Sequence, residues 1–271
     1  MYGRARDAAL IDAWRLAVGT LTALPIDRPR TVGPSVGGWA MTLAPLVGGL
    51  LAVITGAFLW LLETVSVSPL LAAVLTVGLL ALLTRGIHLD GLADTADGLG
   101  SARPAGEALQ IMRKSDVGPF GVLTLVLVLL VQVAALTEVV AQGSGAVAAA
   151  VALVVSRSML PLVCSNGIPA ARQDGLGRVV AGQVGRGQLL VAAALRALTL
   201  GVVVLAASSV DGSALTLETI AGVVAGAVAA VLVAGTLCWW CVRRLGGMTG
   251  DVLGAVVETA FAAAAVAYLL T

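Results

Sequence analysis

The strongest chemical signal in this sequence is a set of three aspartates at helical spacing. Asp90, Asp94 and Asp97 lie in the run His-Leu-Asp-Gly-Leu-Ala-Asp-Thr-Ala-Asp-Gly over residues 88–98. The spacing of i, i+4 and i+7 predicts a helix that turns all three carboxylates to one face. Like charges about 6 Å apart repel by roughly 2–3 kcal/mol per pair at an effective dielectric constant near 20, so the cluster predicts a bound cation. Oxygen ligands favour Mg²⁺, which commonly bridges carboxylates and substrate phosphates; the alternative is a solvated helix with acids in its first turn.

The same part of the chain supplies further groups that suit phosphate chemistry. His88 is the only histidine, and it could be a general base or a ligand, or it could cap the preceding apolar stretch. Arg113 and Lys114 can donate to phosphate oxygens, and Asp116 can add a metal ligand. Arg113 is therefore a predicted phosphate-binding residue. The predicted catalytic residues are His88, Asp90, Asp94, Asp97 and Lys114.

A glycine-rich segment before the last apolar stretch is a second candidate for phosphate binding. It reads Leu-Gly-Gly-Met-Thr-Gly-Asp over residues 245–251. The backbone N–H groups of Gly246 and Gly247 can approach an anion closely, and the next helix start adds a positive dipole end. Thr249 is predicted to bind phosphate and Asp251 to bind metal, although either could simply cap the helix. A P-loop is excluded because the chain has no Gly-x-x-x-x-Gly-Lys-Ser/Thr pattern.

Three further arginines are candidate phosphate ligands. Arg172 and Arg178 lie in a polar loop. Arg157 lies inside an apolar stretch, where a charge costs about 2.5–3.5 kcal/mol on insertion scales and marks a functional candidate. Snorkelling of its side chain to the membrane surface is the alternative. The predicted substrate-binding arginines here are Arg157, Arg172 and Arg178.

The elements that position these groups are predicted to be membrane-spanning helices. Hydrophobic residues make up 59% of the 271-residue chain and charged residues 11%, whereas ordinary soluble domains carry about 25% charged residues. The composition predicts an all-α integral membrane protein with about seven transmembrane helices. The predicted spans cover residues 37–62, 69–84, 118–140, 144–164, 188–209, 219–242 and 252–270. Residues 8–24 are interrupted by Asp12 and Arg15 and are predicted to form an N-terminal interfacial helix.

The distribution of basic residues predicts the orientation. With the N-terminus inside, every loop Lys or Arg lies on the cytoplasmic side, while the opposite loops carry Glu63, Asp211 and Glu218, as the positive-inside rule expects. The chain is therefore predicted to be N-in and C-out in the cell (inner) membrane, with residues 1–271 forming a single polytopic domain. Its active site is predicted to form from cytoplasmic loops at about 85–117, 165–187 and 243–251.

Charge and cysteine content exclude several partners and cofactors. The net charge of +1 argues against nucleic acid, since such proteins usually show a basic stripe. Three cysteines provide no disulfide framework. The Cys238-Trp-Trp-Cys241 segment lies in a predicted span and lacks the second ligand pair that zinc would need.

Taken together, the motifs resemble the cobalamin synthase family, the adenosylcobinamide-GDP ribazoletransferases. The run at 88–98 is similar to the family's hallmark motif. Leu-Thr-Ala-Leu-Pro at 21–25, Pro-Leu-Val-Gly at 45–48 and the segment at 245–251 are similar to further family motifs in the same order. At 112–116 this chain reads Met-Arg-Lys-Ser-Asp, whereas the family pattern resembles Met-Lys-Asp-Ser.

The resemblance implies a Mg²⁺-dependent phosphotransferase. It would transfer GDP-activated cobinamide phosphate onto the 5′-hydroxyl of α-ribazole, or onto α-ribazole 5′-phosphate. The products would be GMP and adenosylcobalamin or its 5′-phosphate, in the last assembly step of cobalamin biosynthesis. As a hypothesis, His88 or one of the carboxylates accepts the hydroxyl proton. The candidate metal ligands are Asp90, Asp94, Asp97, Asp116 and Asp251.

Two other functions fit parts of the sequence. CDP-alcohol phosphatidyltransferases share a pattern resembling Asp-x-x-Asp-Gly-x-x-Ala-Arg, but the segment at 94–103 has one residue too many. A transporter would place ionisable groups near the bilayer midplane on broken helices. Glu138 and Glu258 lie in predicted spans and are the residues that a transporter would use.

Overall fold

The chain folds into a bundle of α-helices, which confirms the predicted fold class. A computed structural model describes residues 2–210 and 216–271, and side chains over 8–209 and 216–271. In these residues, β-sheet hydrogen bonding is limited to two isolated β-bridges. The helices of the described residues are α1 (Tyr2–Leu21), α2 (Pro34–Thr42), α3 (Ala44–Thr64), α4 (Pro69–Leu83), α5 (Ile87–Gly100), α6 (Ala105–Ile111), α7 (Pro119–Ala141), α8 (Gly145–Arg157), α9 (Met159–Val163), α10 (Gly175–Val180), α11 (Arg186–Val210), α12 (Leu217–Leu245) and α13 (Gly250–Leu269).

Six helical segments in the described residues are long and apolar enough to cross a membrane. They are α3, α7, α8 joined to α9, α11, α12 and α13. The predicted second span is the 15-residue helix α4, which meets these criteria only together with α5, at an angle of 89° between the two helices. The structure thus contains six or seven candidate spans. The orientation stays a prediction, and Asp211 lies outside the described residues.

The predicted first span at 37–62 is wrong at its start, because the structure divides it into two helices. α2 ends at Thr42 and α3 begins at Ala44, with Leu43 between them. Pro45 in the first turn of α3 explains the break, because proline has no N–H and its ring clashes with the carbonyl four residues earlier. Only α3 qualifies as a span.

Small side chains allow α8 to lie at the centre of the bundle. All of its residues are buried, and a Cβ on Gly48 of α3 would lie 2.8 Å from the Leu153 carbonyl oxygen. Such close backbone approach is how helices pack in lipid, where association relies on van der Waals contact. The cysteines Cys164, Cys238 and Cys241 are buried and free, which agrees with the absence of a disulfide framework.

A sharp corner between α4 and α5 turns the acidic helix across the end of the bundle. Arg85 and Gly86 both have positive φ angles, 55° and 65°, and Gly86 N–H donates to the Ala81 carbonyl at 2.8 Å. This is the hydrogen-bonded stop typical of helix C-termini. α5 leaves at 89° to α4, and this turn agrees with its predicted place in a loop outside the spans.

Two glycines let α5 pack directly on α13. A Cβ on Gly91 would lie 2.6 Å from the Asp251 carbonyl oxygen, and one on Gly254 would lie 3.0 Å from the His88 Cα. The first distance is too short for a Cβ and the second is tighter than ordinary contact, so the two backbones touch at this crossing. The contact places the acidic face of α5 beside the first turn of α13.

Replacing Gly91 by Ala is expected to lower the free energy of unfolding by about 1–3 kcal/mol, as overpacking typically does. The matched control is Gly106→Ala in α6, because a Cβ there has nothing within 4 Å. Alanine at an open helical position is expected to be neutral or stabilising. Thermal unfolding of the purified variants in detergent would test this, and equal stability of the two variants would contradict the close crossing.

Candidate active site

The carboxylates of Asp90, Asp94 and Asp251 lie near one another where α5 crosses the start of α13. Asp94 is half-buried, and burial, together with the negative charges of Asp90, Asp251 and Asp97, raises its pKa to about 7, although Arg172 opposes the shift. The predicted helix over the acidic run is confirmed as α5. Asp251, a predicted metal ligand, comes from 157 residues further along the chain (251 − 94), and its charge acts on Asp94 as part of the same group of acids.

Arg172 connects the three segments that surround these acids. One of its terminal nitrogens lies 3.4 Å from Oδ2 of Asp251, and the other donates to the Leu109 carbonyl at 2.8 Å. The arginine therefore joins loop 164–174 to the end of α6 and to the first turn of α13. Its Nε is buried without a hydrogen-bond partner. A guanidinium held in this way suits an incoming phosphate oxygen.

The two glycines before α13 are needed because the backbone there forms hydrogen bonds with loop 164–174. Ala171 N–H donates to the Met248 carbonyl at 3.0 Å, and Met248 N–H donates to the Pro169 carbonyl at 2.9 Å. A Cβ on Gly247 would collide with the Pro169 carbonyl oxygen, and Gly246 has a φ of 84° at the end of α12. Both glycines are thus required by the fold, and phosphate binding by them stays a prediction.

Thr249 caps the helix that carries Asp251. Its Oγ1 accepts from Val252 N–H at 3.2 Å and donates to Oδ2 of Asp251 at 3.2 Å. The capping alternative for Thr249 is confirmed. The same bond, with Arg172, orients the Asp251 carboxylate.

Asp97 differs from the other acids of its helix because both of its oxygens already have partners. Oδ2 accepts from Gly118 N–H at 2.7 Å and Oδ1 from Gly121 N–H at 2.9 Å. These N–H groups belong to the start of α7, where they have no acceptor within the helix. The buried Asp97 carboxylate therefore caps α7. A catalytic or metal-binding role for Asp97 stays a prediction, and this geometry does not support it.

Replacing Asp97 by Ala is expected to lower the free energy of unfolding by about 1–3 kcal/mol, the usual cost of leaving buried N–H groups unpaired. Asp116→Ala is the control, because this exposed aspartate makes no hydrogen bond or ion pair within the described residues. Thermal unfolding in detergent would show the difference. A loss of stability no larger for Asp97→Ala than for Asp116→Ala would contradict the capping role.

His88 faces the interior of the bundle and not the acids. Its side chain is 4% exposed, and its Nδ1 has no hydrogen-bond partner and lies 3.9 Å from Oε1 of Glu258. Burial and the nearby charge of Arg157 lower the pKa of His88 to about 3, so the imidazole is neutral. A direct catalytic role stays a prediction, and the burial of His88 does not support it.

Arg157 lies in the same buried polar cluster beneath α5. The residue is 2% exposed, its Nη1 donates to Ser156 Oγ at 3.0 Å, and it lines a cavity of about 20 Å³ with Gln132 and Glu258. Gln132 Nε2 in turn donates to Oε2 of Glu258 at 2.9 Å. Snorkelling is wrong, because Arg157 is enclosed by protein. Phosphate binding by Arg157 stays a prediction, and its burial does not support it.

The remaining predicted basic residues lie on the surface around the acids. Arg113 pairs with both oxygens of Asp174 at 2.6 and 2.7 Å, a contact between segments that are 61 residues apart. Lys114 and Arg178 are exposed and make no hydrogen bond or ion pair within the described residues. The pairing of Asp174 could not be predicted from the sequence, because an isolated loop aspartate carries no signal of its distant partner.

The carboxylates fit a hard divalent cation in chemistry, although they do not form a closed cage. No group of three or more His, Cys, Asp or Glu side chains within residues 2–210 and 216–271 is arranged to hold a metal ion. Mg²⁺, however, usually binds one or two carboxylates and completes its shell with water and substrate phosphates. Burial raises the pKa of Asp94, and the negative charges of Asp90 and Asp251 raise it further; a cation would relieve that repulsion.

Comparison with known proteins identifies one family over nearly the whole chain. The family profile described as cobalamin-5-phosphate synthase matches residues 13–269. An adenosylcobinamide-GDP ribazoletransferase of Nocardioides sp. is 40% identical over 257 residues, covering 95% of this chain and 98% of the relative. One from Frankia casuarinae is 38% identical over 269 residues (95% and 94%), and one from Escherichia coli is 35% identical over 241 residues (88% and 91%). No solved structure matches this chain.

Proposed function

This chain belongs to the cobalamin-5-phosphate synthase family, and we propose that it is an adenosylcobinamide-GDP ribazoletransferase. The donor is a corrinoid alcohol joined through a diphosphate to guanosine, and the acceptor is α-ribazole or its 5′-phosphate. The reaction forms adenosylcobalamin or its 5′-phosphate and releases GMP. It is the last assembly step of the cofactor.

The reaction exchanges one phosphorus–oxygen bond for another. A ribose hydroxyl of the acceptor attacks the phosphorus next to the corrinoid, and the bond to the bridging oxygen of the diphosphate breaks. GMP leaves with that oxygen, and the hydroxyl proton passes to a base. The nucleophile cannot be the 5′-hydroxyl when the acceptor already carries a 5′-phosphate, so the expected 5′-attack cannot apply to both acceptors. A hydroxyl that remains free in both is the consistent choice.

The observation that carries the proposal is the junction of Asp94, Asp251 and Arg172. Phosphoryl transfer depends mainly on positioning and on neutralising the charge of the diphosphate. Arg172 can bind a phosphate oxygen, and its contacts with Asp251 and the Leu109 carbonyl hold it in place. Asp94, with a pKa of about 7, suits a general base near neutral pH.

We propose Mg²⁺ as the cofactor of this site. Asp90 and Asp251 would hold it, with Asp94 beside them as the base, and the mutual repulsion of these acids supports the proposal. When bound, the ion would neutralise the oxygens of the diphosphate and stabilise the charge on the departing GMP. Among the protein groups, Thr249 and Arg172 orient Asp251, while the crossing at Gly91 keeps α5 beside it.

We also propose that the site faces the cytoplasm of a cell membrane. The support is the charge distribution, because the basic loop residues Arg113, Lys114 and Arg178 lie in the same segments as the candidate acids. Basic residues are enriched in cytoplasmic loops. A nucleotide-activated donor would also be available on that side.

A turnover assay tests the function directly. Purified full-length protein in nanodiscs would receive adenosylcobinamide-GDP and α-ribazole with Mg²⁺, and GMP and cobalamin would be followed by chromatography. Equal amounts of both products are expected. Hydrolysis of the donor to GMP without cobalamin, or activity only with CDP-activated alcohols and an alcohol acceptor, would contradict the proposal.

A further inference from the structure

A polar cleft lies near the N-terminal end of α5, outside the candidate active site. It has a volume of about 440 Å³ and is lined by α1, by residues 22–29 and by Arg85 at the α4–α5 corner. Ligand pockets of enzymes typically measure about 300–1,000 Å³. The side chains of Arg15, Arg28 and Arg85 line it together with one acid, Asp27, so its lining carries a net charge of +2 (three arginines less one aspartate).

Much of the arginine hydrogen-bonding capacity in this cleft is unused. Arg15 pairs with Asp27 at 3.2 Å and with Asp12 at 3.6 Å. Arg28, in contrast, makes no hydrogen bond or ion pair within the described residues, and Arg85 makes one bond, to the Gly19 carbonyl at 3.2 Å. A guanidinium has five N–H donors, so Arg28 and Arg85 retain donors for an anion.

The loop that carries Arg28 is held in place by a buried acid. Asp12 of α1 is 4% exposed and accepts from the Arg30 and Thr31 backbone N–H groups, each at 2.9 Å, and from Thr31 Oγ1 at 2.8 Å. On the other side, Ala23 N–H donates to the Leu83 carbonyl. The cleft is thus preorganised, which reduces the entropy lost when a ligand binds.

The backbone at Arg85 is the second observation that points to a ligand. Its φ of 55° places it in the left-handed region, at a helix-ending position where glycine is preferred. A non-glycine residue there costs about 1–2 kcal/mol, and such strain clusters at ligand sites. One guanidinium nitrogen of Arg85 caps the C-terminal end of α1 through the Gly19 carbonyl. The other N–H groups of this guanidinium remain available to a ligand.

The cleft includes Arg85, two residues before the start of α5. Asp90 N–H donates to the Gly86 carbonyl at 2.8 Å, so Asp90 lies one helical turn, about 5.4 Å along the axis, beyond the corner that carries Arg85. The cleft and the acidic run of α5 therefore lie close together along the chain. Leu16, Leu24 and Ile26 provide apolar surface in the same cleft.

We propose that this cleft binds the phosphate of a ribonucleoside 5′-phosphate, with Arg28 and Arg85 on the phosphate and the apolar wall under the base. This inference rests on the proposed function, which brings two such groups to the enzyme: the phosphorylated acceptor and the guanylyl end of the donor. Both present the same chemistry. The phosphate of an anionic lipid would bind the same arginines, and the experiment below includes a lipid measurement that separates the two ligands.

Equilibrium binding to the full-length protein in phosphatidylcholine nanodiscs would test the inference. α-Ribazole 5′-phosphate, GMP and unphosphorylated α-ribazole are titrated separately into wild type, Arg28→Ala and Arg85→Gln. The Kd of at least one nucleotide is expected to rise about 10- to 100-fold in both variants, the value of a charged hydrogen bond. The Kd of unphosphorylated α-ribazole is expected to stay unchanged, and the nucleotide affected identifies the substrate bound.

Arg103→Ala is the matched control, because this exposed arginine at the same end of the bundle pairs with Glu107 at 3.6 Å and does not line the cleft. Unchanged nucleotide affinity in both cleft variants, or an equal loss in Arg103→Ala, would overturn the inference. The amount of phosphatidylglycerol that co-purifies with each variant in detergent is measured in parallel. A loss of that lipid in both cleft variants, with nucleotide affinity unchanged, would assign the cleft to lipid and overturn the inference.

The binding assay separates this inference from the proposed function, because it does not require turnover. Wild-type turnover with normal nucleotide binding by Arg28→Ala refutes the cleft alone. Arginine-dependent nucleotide binding without GMP release from the donor refutes the transferase alone.

Discussion

Replacing Asp94 by Asn is expected to reduce turnover by about 10²–10⁴-fold, the range for loss of a general acid–base group, while leaving the fold intact. Asn preserves the shape of the side chain and removes only its charge. That charge has a large effect because Asp94 is half-buried among Asp90 and Asp251. Release of GMP from adenosylcobinamide-GDP by the purified variant would measure the loss.

The same substitution is expected to stabilise the metal-free protein above neutral pH. The pKa of Asp94 rises from 3.8 to about 7 on folding, so the folded state holds a proton that the unfolded state has released. Stability therefore falls as pH rises from about 4 to about 7, and the penalty persists above pH 7. Asp94→Asn lacks this penalty, so thermal unfolding at pH 8 in EDTA should occur at the same or a higher temperature.

Glu107→Gln is the control for Asp94→Asn, because Glu107 is an exposed acid on α6 that pairs only with Arg103 on the surface. Its turnover should stay within about twofold of wild type, since exposed ion pairs contribute little. Near-normal turnover by Asp94→Asn would remove this carboxylate from the proposed mechanism. An inactive variant that also unfolds early would indicate a structural role instead.

Removal of divalent cations is expected to abolish turnover, and Mg²⁺ is expected to restore it. A diphosphate bears several negative charges, and Arg172 is the only arginine paired with an acid of the candidate site in the described residues. One guanidinium cannot neutralise both the substrate and the three carboxylates. GMP release would be measured after EDTA treatment and during back-titration with Mg²⁺, with Ca²⁺ as a comparison ion.

Asp251→Asn should then require at least about tenfold more Mg²⁺ for half-maximal turnover, because perturbing even an outer-shell partner lowers metal affinity 10–100-fold. Thr249 still caps α13 in this variant through Val252 N–H, so the helix start should persist. Full activity in EDTA would contradict the metal proposal. An unchanged Mg²⁺ requirement in Asp251→Asn would exclude Asp251 as a ligand.

Many of the helices could be read from the sequence because their signals are local. Long uncharged stretches predict spans, and α7, α8 with α9, α11, α12 and α13 appear where those stretches lie. Pro69 and Pro119 begin α4 and α7, as proline at a first helical turn should. The division at Leu43 was missed, because Pro45 lies within a stretch whose apolar character continues across it.

The candidate acids on α5 were also predictable, but their different environments were not. Asp94 and Asp97 share a face by spacing, yet Asp97 is satisfied by Gly118 and Gly121 at the start of α7. Those donors lie 21 and 24 residues further along the chain, and no feature of the acidic run predicts them. Helical spacing determines which side chains point the same way, whereas their partners depend on what packs there.

The environments of the other candidate site residues also depend on tertiary packing. The sequence by itself determined that the chain is a helical membrane protein, that α5 carries three acids on one face, and which family motifs it contains. Only the tertiary structure decided that Arg172 meets Asp251, that His88 and Arg157 are enclosed in the bundle, and that Arg28 and Arg85 share a cleft. The reason is physical: the direction of a side chain follows from local backbone geometry, whereas solvent access and charge pairing depend on segments that packing brings together.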